Sequence, residues 1–226
     1  MKPQLFLLHF AGGSCYSLQF LLPYLNQFNT ILLELPGRGR RLEESLLTDF
    51  QDAAADLADK IKMHVDGSPF LIYGHSMGAT LALKIAAIME AENKPPARLI
   101  VSGNAGPGTS TAMHRHTLPS EDFKNELRRL GGMPEEVLSD EDLFSFFEPI
   151  IRADFEIAHN NDLISLPPVK SDIYAVMGTE EEAAGRIDNW GKFTSGKFSK
   201  EILSGGHFFI NHHAKRIADI ICENYS

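Results

Sequence analysis

Two cysteines in 226 residues, Cys15 and Cys222, are too few and too far apart for a disulfide framework or a thiolate metal site. Both are expected to be free thiols in a reducing compartment, and the protein is expected to be cytoplasmic. Positive charge is scarce as well: 21 Lys and Arg face 30 Asp and Glu, and a net charge of −9 lacks the basic footprint that phosphate backbones require. That excludes nucleic acid as a partner. Arg38, Arg40 and Arg41, and again Lys124, Arg128 and Arg129, form small local clusters that read as solvated surface. Long apolar runs are missing too. The run Leu5-Phe6-Leu7-Leu8-His9-Phe10 is shorter than a membrane span or a signal-peptide core and passes straight into Ala11-Gly12-Gly13, so it reads as a buried strand and no membrane partner is expected. Repeats and low-complexity tracts are absent.

What remains is enough for one core. With 43% hydrophobic residues, the chain is expected to form a single domain over 1–226. Leu5 to Leu8, Thr30 to Leu33, Phe70 to Tyr73 and Leu99 to Val101 are continuously apolar, as strands buried on both faces of a parallel sheet are. Asp49 to His64 carries Phe50, Ala54, Leu57 and Ile61 at helical spacing, with Thr48 and Gln51 as a capping box. Strand and helix alternate, which predicts an α/β fold with a mostly parallel central sheet and ligands at the carboxyl ends of the strands. From Met113 to Pro168 the pattern turns to acidic helical pieces without a strand-like run, a helical lid insertion over 113–168. Strands resume at Ile173 to Met177 and Phe198 to Leu203, and Phe209 to Asn224 reads as a closing helix.

Chemistry enters at Gly74-His75-Ser76-Met77-Gly78, between the strand Phe70 to Tyr73 and a helix-forming run from Ala79. A Gly-x-Ser-x-Gly turn from strand to helix relieves crowding at a strained corner and exposes the serine hydroxyl at the positive end of a helix. Ser76 is therefore the candidate nucleophile. A serine needs a base, and the base an orienting acid, in the order serine, acid, histidine for this fold. His207 suits the base, since it follows a strand on the loop Ser204-Gly205-Gly206 and precedes the last helix. His75 lies inside the elbow, His9 ends the first strand, and His212 and His213 diverge on a helix and cannot share a metal, so no metal is expected. The acid should follow Ile173 to Met177, where Glu180, Glu181 and Glu182 stand together; the Gly-x-x-acid spacing favours Glu181 without excluding its neighbours. Asp188 reads as a helix N-terminal residue before Trp190. Two backbone N–H groups must stabilise the oxyanion, and Met77, after the nucleophile, and Ala11, in the loop after the first strand, are the candidates.

Several stretches then resemble one family along nearly the whole chain: Phe10-Ala11-Gly12-Gly13-Ser14, Leu35-Pro36-Gly37-Arg38-Gly39-Arg40-Arg41, the elbow, Val101-Ser102-Gly103, Leu130-Gly131-Gly132-Met133-Pro134, Pro149 to Phe155, Asp188-Asn189-Trp190 and Gly205-Gly206-His207-Phe208-Phe209. The chain resembles the type II (editing) thioesterases of polyketide and nonribosomal peptide assembly lines. The resemblance implies an α/β-hydrolase fold and hydrolysis of acyl groups from the phosphopantetheine arm of acyl or peptidyl carrier proteins, clearing stalled or misprimed chains. It implies no cofactor of the enzyme's own, and the protein is expected to be a monomer. The family usually carries Asp where this chain has Glu181, and His9 replaces the family's usual approach to the glycine loop. The competing expectations are another serine acyl hydrolase or acyltransferase acting on small-molecule esters, and a binding module that kept the fold. Apolar residues of the lid, Leu127, Leu130, Leu143, Phe144, Phe146 and Phe147, are divided between an acyl channel and packing onto the core.

Overall fold

The computed structural model describes residues 2–109 and 114–225. Six strands, β1 (Gln4–Leu8), β2 (Asn29–Leu32), β3 (Phe70–His75), β4 (Arg98–Ser102), β5 (Asp172–Gly178) and β6 (Phe198–Leu203), form one sheet in the order β2-β1-β3-β4-β5-β6. Every neighbouring pair is parallel. Parallel neighbours need crossovers, and these cover both faces. Phe6, Leu8, Ile72, Leu99, Val101 and Ile173 enter the core beneath α1 (Phe50–His64) and α2 (Met77–Ala91). The alternate residues Leu5, Leu7, Leu71, Tyr73, Ile100 and Val176 pack on the other face with α6 (Ala214–Glu223) and the 3-10 segment Gln19–Tyr24. Winding runs outward from β1 to β2 and then back across to β3, so its direction reverses between β1 and β3. The crevice at their carboxyl ends is where such sheets bind ligands.

Between β4 and β5 stand α3 (Ser120–Leu130), α4 (Glu135–Ser139) and α5 (Glu141–His159). They have a small core of their own, in which Phe123, Leu127, Leu138, Phe144 and Ile151 are buried together. Met113, the expected start of the insertion, lies outside the described residues.

Several local expectations are corrected. Helix α1 is capped by Asp49, whose carboxylate accepts from the Gln51 and Asp52 N–H groups, and Thr48 forms no capping box. A carboxylate at the cap also suits the positive end of the helix. Strand β2 begins at Asn29 and is partly exposed, because it is the edge of the sheet and among the described residues no strand pairs with its outer side. The closing helix is two pieces, a 3-10 turn at Phe209–Asn211 and α6. His213 sits at the break, where Ser204 engages its ring (Nε2 to the carbonyl oxygen, 2.9 Å), so His212 and His213 do not share a helix. Asp188 lies within the 3-10 segment Ala184–Phe193 and pairs with Lys200 at 2.6 Å. Leu143 and Phe146 face outward, 45% and 53% exposed, and line no channel, because they fall outside the stripe of α5 that buries Phe144 and Ile151.

The basic clusters are only in part surface. Lys124 is buried: its ammonium lies over the face of the Phe144 ring, 4.8 Å from the centroid, and also reaches Glu121 and Glu141. Arg41 holds both Glu44 and Asp56. Arg38 is buried against Asp154 of α5, a partner supplied by a helix distant in sequence and invisible to local charge patterning.

Candidate active site

Ser76 stands between β3 and α2 with φ 57° and ψ −113°, a conformation that costs an L-residue on the order of 1–3 kcal/mol. Packing forces it. A β-carbon at Gly74 would overlap the Gly78 carbonyl, and one at Gly78 would lie 2.5 Å from the Leu8 carbonyl oxygen and 2.8 Å from that of His9. Helix α2 therefore enters flush against the end of β1, and its small residues Gly78, Ala79 and Ala82 are buried there.

The β5–β6 end of the sheet carries the other two candidates. Thr179 N–H donates to the Leu203 carbonyl (2.8 Å) and Glu180 N–H to that of Gly205 (3.0 Å), zipping the loop after β5 to the loop after β6. Glu181 then turns back: Gly178 N–H donates to its Oε1 at 2.8 Å, and its Oε2 faces His207 Nδ1 at 2.8 Å. His207 Nε2 lies 3.0 Å from Ser76 Oγ. With Nδ1–H donating to Glu181, Nε2 carries the lone pair that can accept the serine proton. Glu180 is exposed and Glu182 is exposed, and neither contacts the imidazole.

The Met77 N–H is at the first position of α2, where no intrahelical acceptor exists. Ala11 follows β1 in a turn closed by Gly13 N–H donating to the Phe10 carbonyl (2.9 Å). Among the described residues neither the Ala11 nor the Met77 amide has an acceptor, and both residues line the cavity beside Ser76.

That cavity holds about 540 Å³. Its floor is Ser76, His207 and Met177; Leu127, Leu130, Met133, Ile151 and Phe155 from α3 to α5 form an apolar wall. Gly131 and Gly132 make the wall possible, since both have positive φ and a side chain at 132 would run into the Phe208 ring next to His207. On the opposite wall Trp190 Nε1–H donates to the Asn104 carbonyl (2.7 Å), and Asn104 Nδ2 reaches the Ser76 carbonyl at 3.4 Å. Arg115 and Arg129 also line the space, both held by Glu126, whose carboxyl they lower to about 2, hydrogen bonds from Arg129 contributing most. Asn104 and the Arg38–Asp154 pair were not legible as site residues, although Val101-Ser102-Gly103 and the Arg38 motif stood out as patterns.

Beneath the site is a buried polar layer. His75 Nδ1 contacts Ser102 Oγ at 2.9 Å, and Tyr73 OH contacts the same hydroxyl at 2.8 Å. Burial, then the neighbouring His207, drives the His75 pKa well below the usual imidazole range, and burial raises the Tyr73 phenol. His9 donates through Nδ1 to the Phe10 carbonyl (2.8 Å), and burial, helped by Arg38, lowers its pKa too. Both histidines are thus neutral spacers. Among the described residues, no group of three or more His, Cys, Asp or Glu side chains is arranged to hold a metal, and no helix is long and apolar enough to cross a membrane.

Residues 3–225 match the family model described as the thioesterase domain. The chain is similar to the gramicidin S biosynthesis protein GrsT of Aneurinibacillus migulanus, 31% identical over 229 residues that cover 98% of this chain and 88% of that one. RedJ, a thioesterase from the prodiginine biosynthetic pathway in Streptomyces coelicolor, matches with a TM-score of 0.91 at 26% identity, covering 99% of this chain and 90% of its own. The type II thioesterase BorB from the borrelidin biosynthetic cluster matches at 0.87 and 31% identity, covering 100% and 94%. The chain belongs to the thioesterase family, as an α/β-hydrolase that acts on thioesters and is of the type II kind found in polyketide and nonribosomal peptide pathways.

Proposed function

We propose that the protein hydrolyses acyl groups from the phosphopantetheine arm of acyl or peptidyl carrier proteins, with Ser76 as nucleophile, His207 as general base and Glu181 as the acid that orients it. The observation that carries this reading is the chain of contacts from Glu181 Oε2 to His207 (2.8 Å) and from His207 to Ser76 Oγ (3.0 Å) at the floor of the cavity. Ser76 Oγ passes its proton to Nε2 as it attacks the thioester carbonyl, and the Ala11 and Met77 N–H groups take the charge that develops on oxygen. The pantetheine sulfur leaves and receives that proton from His207. Water, activated by the same imidazole, then releases the acid from the acyl-serine. Every proton moves between groups of this chain, substrate and water, so the reading requires no cofactor and no metal.

Apolar residues between Leu127 and Phe155 suit an acyl chain, and the helices carrying them act in this reading as a lid that a carrier-bound arm passes. The enzyme is proposed to work as a cytoplasmic monomer that meets its carrier proteins transiently. The test is to incubate it with acetyl-, malonyl- and longer acyl-carrier proteins and to follow deacylation by intact mass. Release from carriers faster than from p-nitrophenyl esters of the same acyl groups is the expected result. Preference for the simple esters would replace this reading with a small-molecule acyl hydrolase, and transfer of the acyl group to an added acceptor in place of water would make the protein an acyltransferase.

A further inference from the structure

One buried charge pair takes no part in the proton chain. Arg38, from the motif Leu35-Pro36-Gly37-Arg38, is 3% exposed, and Asp154 of α5 is fully buried. The two meet in a bidentate pair, Nη2 to Oδ1 at 2.8 Å and Nη1 to Oδ2. The carboxylate does more than neutralise the guanidinium, because Gly12 N–H also donates to Oδ2 at 2.7 Å. From the other side Arg38 reaches the Gly13 and Pro36 carbonyls, each at 3.4 Å. Gly12, with φ 77°, has no β-carbon, and one placed there would sit 3.2 Å from Ile151, one turn before Asp154 on the same helix. The backbone next to Ala11 is therefore clamped on consecutive residues, at the Gly12 N–H and the Gly13 carbonyl, by two side chains from elsewhere in the fold.

A buried ion pair is a poor investment in stability, since apolar residues of similar volume often serve as well or better. A backbone donor for an oxyanion, by contrast, must be aimed before the reaction begins, and misplacement by about 1 Å costs on the order of 100-fold in rate. We propose that Asp154, held by Arg38, is a positioning residue that fixes the loop after β1 so that the Ala11 N–H points at the developing oxyanion. It also ties that aim to α5, whose Ile151 and Phe155 line the acyl cavity, so that the helix contacting the acyl chain and the donor contacting its carbonyl move as one body. This inference rests on the reading of Ser76 as nucleophile and of Ala11 as an oxyanion donor.

The test compares Ser76→Ala, Asp154→Asn and the double variant Arg38→Met with Asp154→Leu, measuring Tm and the hydrolysis of butyryl-N-acetylcysteamine. Asp154→Asn strands Arg38 and is expected to lower Tm as well as kcat. The double variant removes both charges and is expected to keep Tm within a few degrees of wild type, yet to lower kcat about 10- to 100-fold with KM within about threefold. Its pH profile should keep the wild-type midpoint, because His207 and Glu181 are untouched. A double variant with wild-type kcat, or one whose loss lies in KM alone, overturns the positioning role. Should the double variant not fold, Asp154→Asn assayed well below its melting temperature decides the matter by the same kcat and KM criterion. Activity retained in Ser76→Ala overturns the underlying reading, and is told apart because it does not depend on either charged residue.

Discussion

Gly78 and Leu8 meet backbone to backbone, so that a β-carbon on Gly78 would lie 2.5 Å from the Leu8 carbonyl oxygen. The contact joins the first turn of α2 to the end of β1, the two segments that carry the Met77 and Ala11 amides. Gly78→Ala is expected to lose about 1–3 kcal/mol of stability, since neither backbone can give way like a flexible side chain, and to lose most activity with it. Gly185→Ala is the control: nothing lies within 4 Å of its added methyl and its φ is not positive, so its Tm should hold or rise slightly. Thermal melts of both variants check this, and equal melting temperatures would remove the close-approach argument.

Ser76→Ala is expected to abolish thioester hydrolysis while leaving Tm unchanged or slightly higher. The hydroxyl fills no core volume, and the elbow stores strain at φ 57° that stability alone does not require. Turnover within about tenfold of wild type, on the order of 1.4 kcal/mol in barrier, would falsify the nucleophile assignment.

Glu181→Gln should lower kcat by about two to four orders of magnitude, because an amide can no longer stabilise the imidazolium and can hold the wrong tautomer. Glu180→Gln and Glu182→Gln, exposed and without contact to His207, should change it less than about threefold. Steady-state kinetics on the three variants decide between them, and a large loss at Glu180 or Glu182 would reassign the acid.

Stability is expected to fall on mild acidification. His75 and His9 have folded-state pKa values below the unfolded imidazole value, so the unfolded chain binds protons that the folded one refuses. Their contribution is complete above about pH 6.5 and is lost as pH falls toward the depressed folded values, each adding up to about 1.4 kcal/mol per pH unit. Denaturant melts from pH 8 to 5 should show this slope, and His9→Gln should flatten it. A flat profile in the parent protein would contradict the burial of both rings.

Acyl-chain length should respond to Leu130 and not to Leu143. Leu130 lines the cavity, so Leu130→Trp should slow hydrolysis of octanoyl-carrier protein at least tenfold more than that of acetyl-carrier protein. Leu143 is exposed on the outer face of α5, and Leu143→Trp should leave the ratio unchanged. Measured kcat/KM ratios check both, and an equal loss on the two substrates at Leu130 would leave the cap without a part in selectivity.

The sequence by itself determined what depends on neighbours along the chain. All six strands were placed near their observed positions, five of them from continuous apolar runs, and the elbow was legible because two glycines, a serine and the flanking strand and helix act within a dozen residues. The Gly178-x-x-Glu181 spacing was legible for the same reason: its defining bond, Gly178 N–H to the Glu181 carboxylate, closes over three residues. Tertiary structure alone decided the rest. That Arg38 is buried depends on Asp154, 116 residues away, and that Leu143 faces out while Leu130 faces in depends on how α3 and α5 pack on each other. Charge patterning and helical periodicity register a residue's type and phase, but which face of a helix finds a partner, and whether a cation meets a buried carboxylate, is settled only when distant segments come into contact.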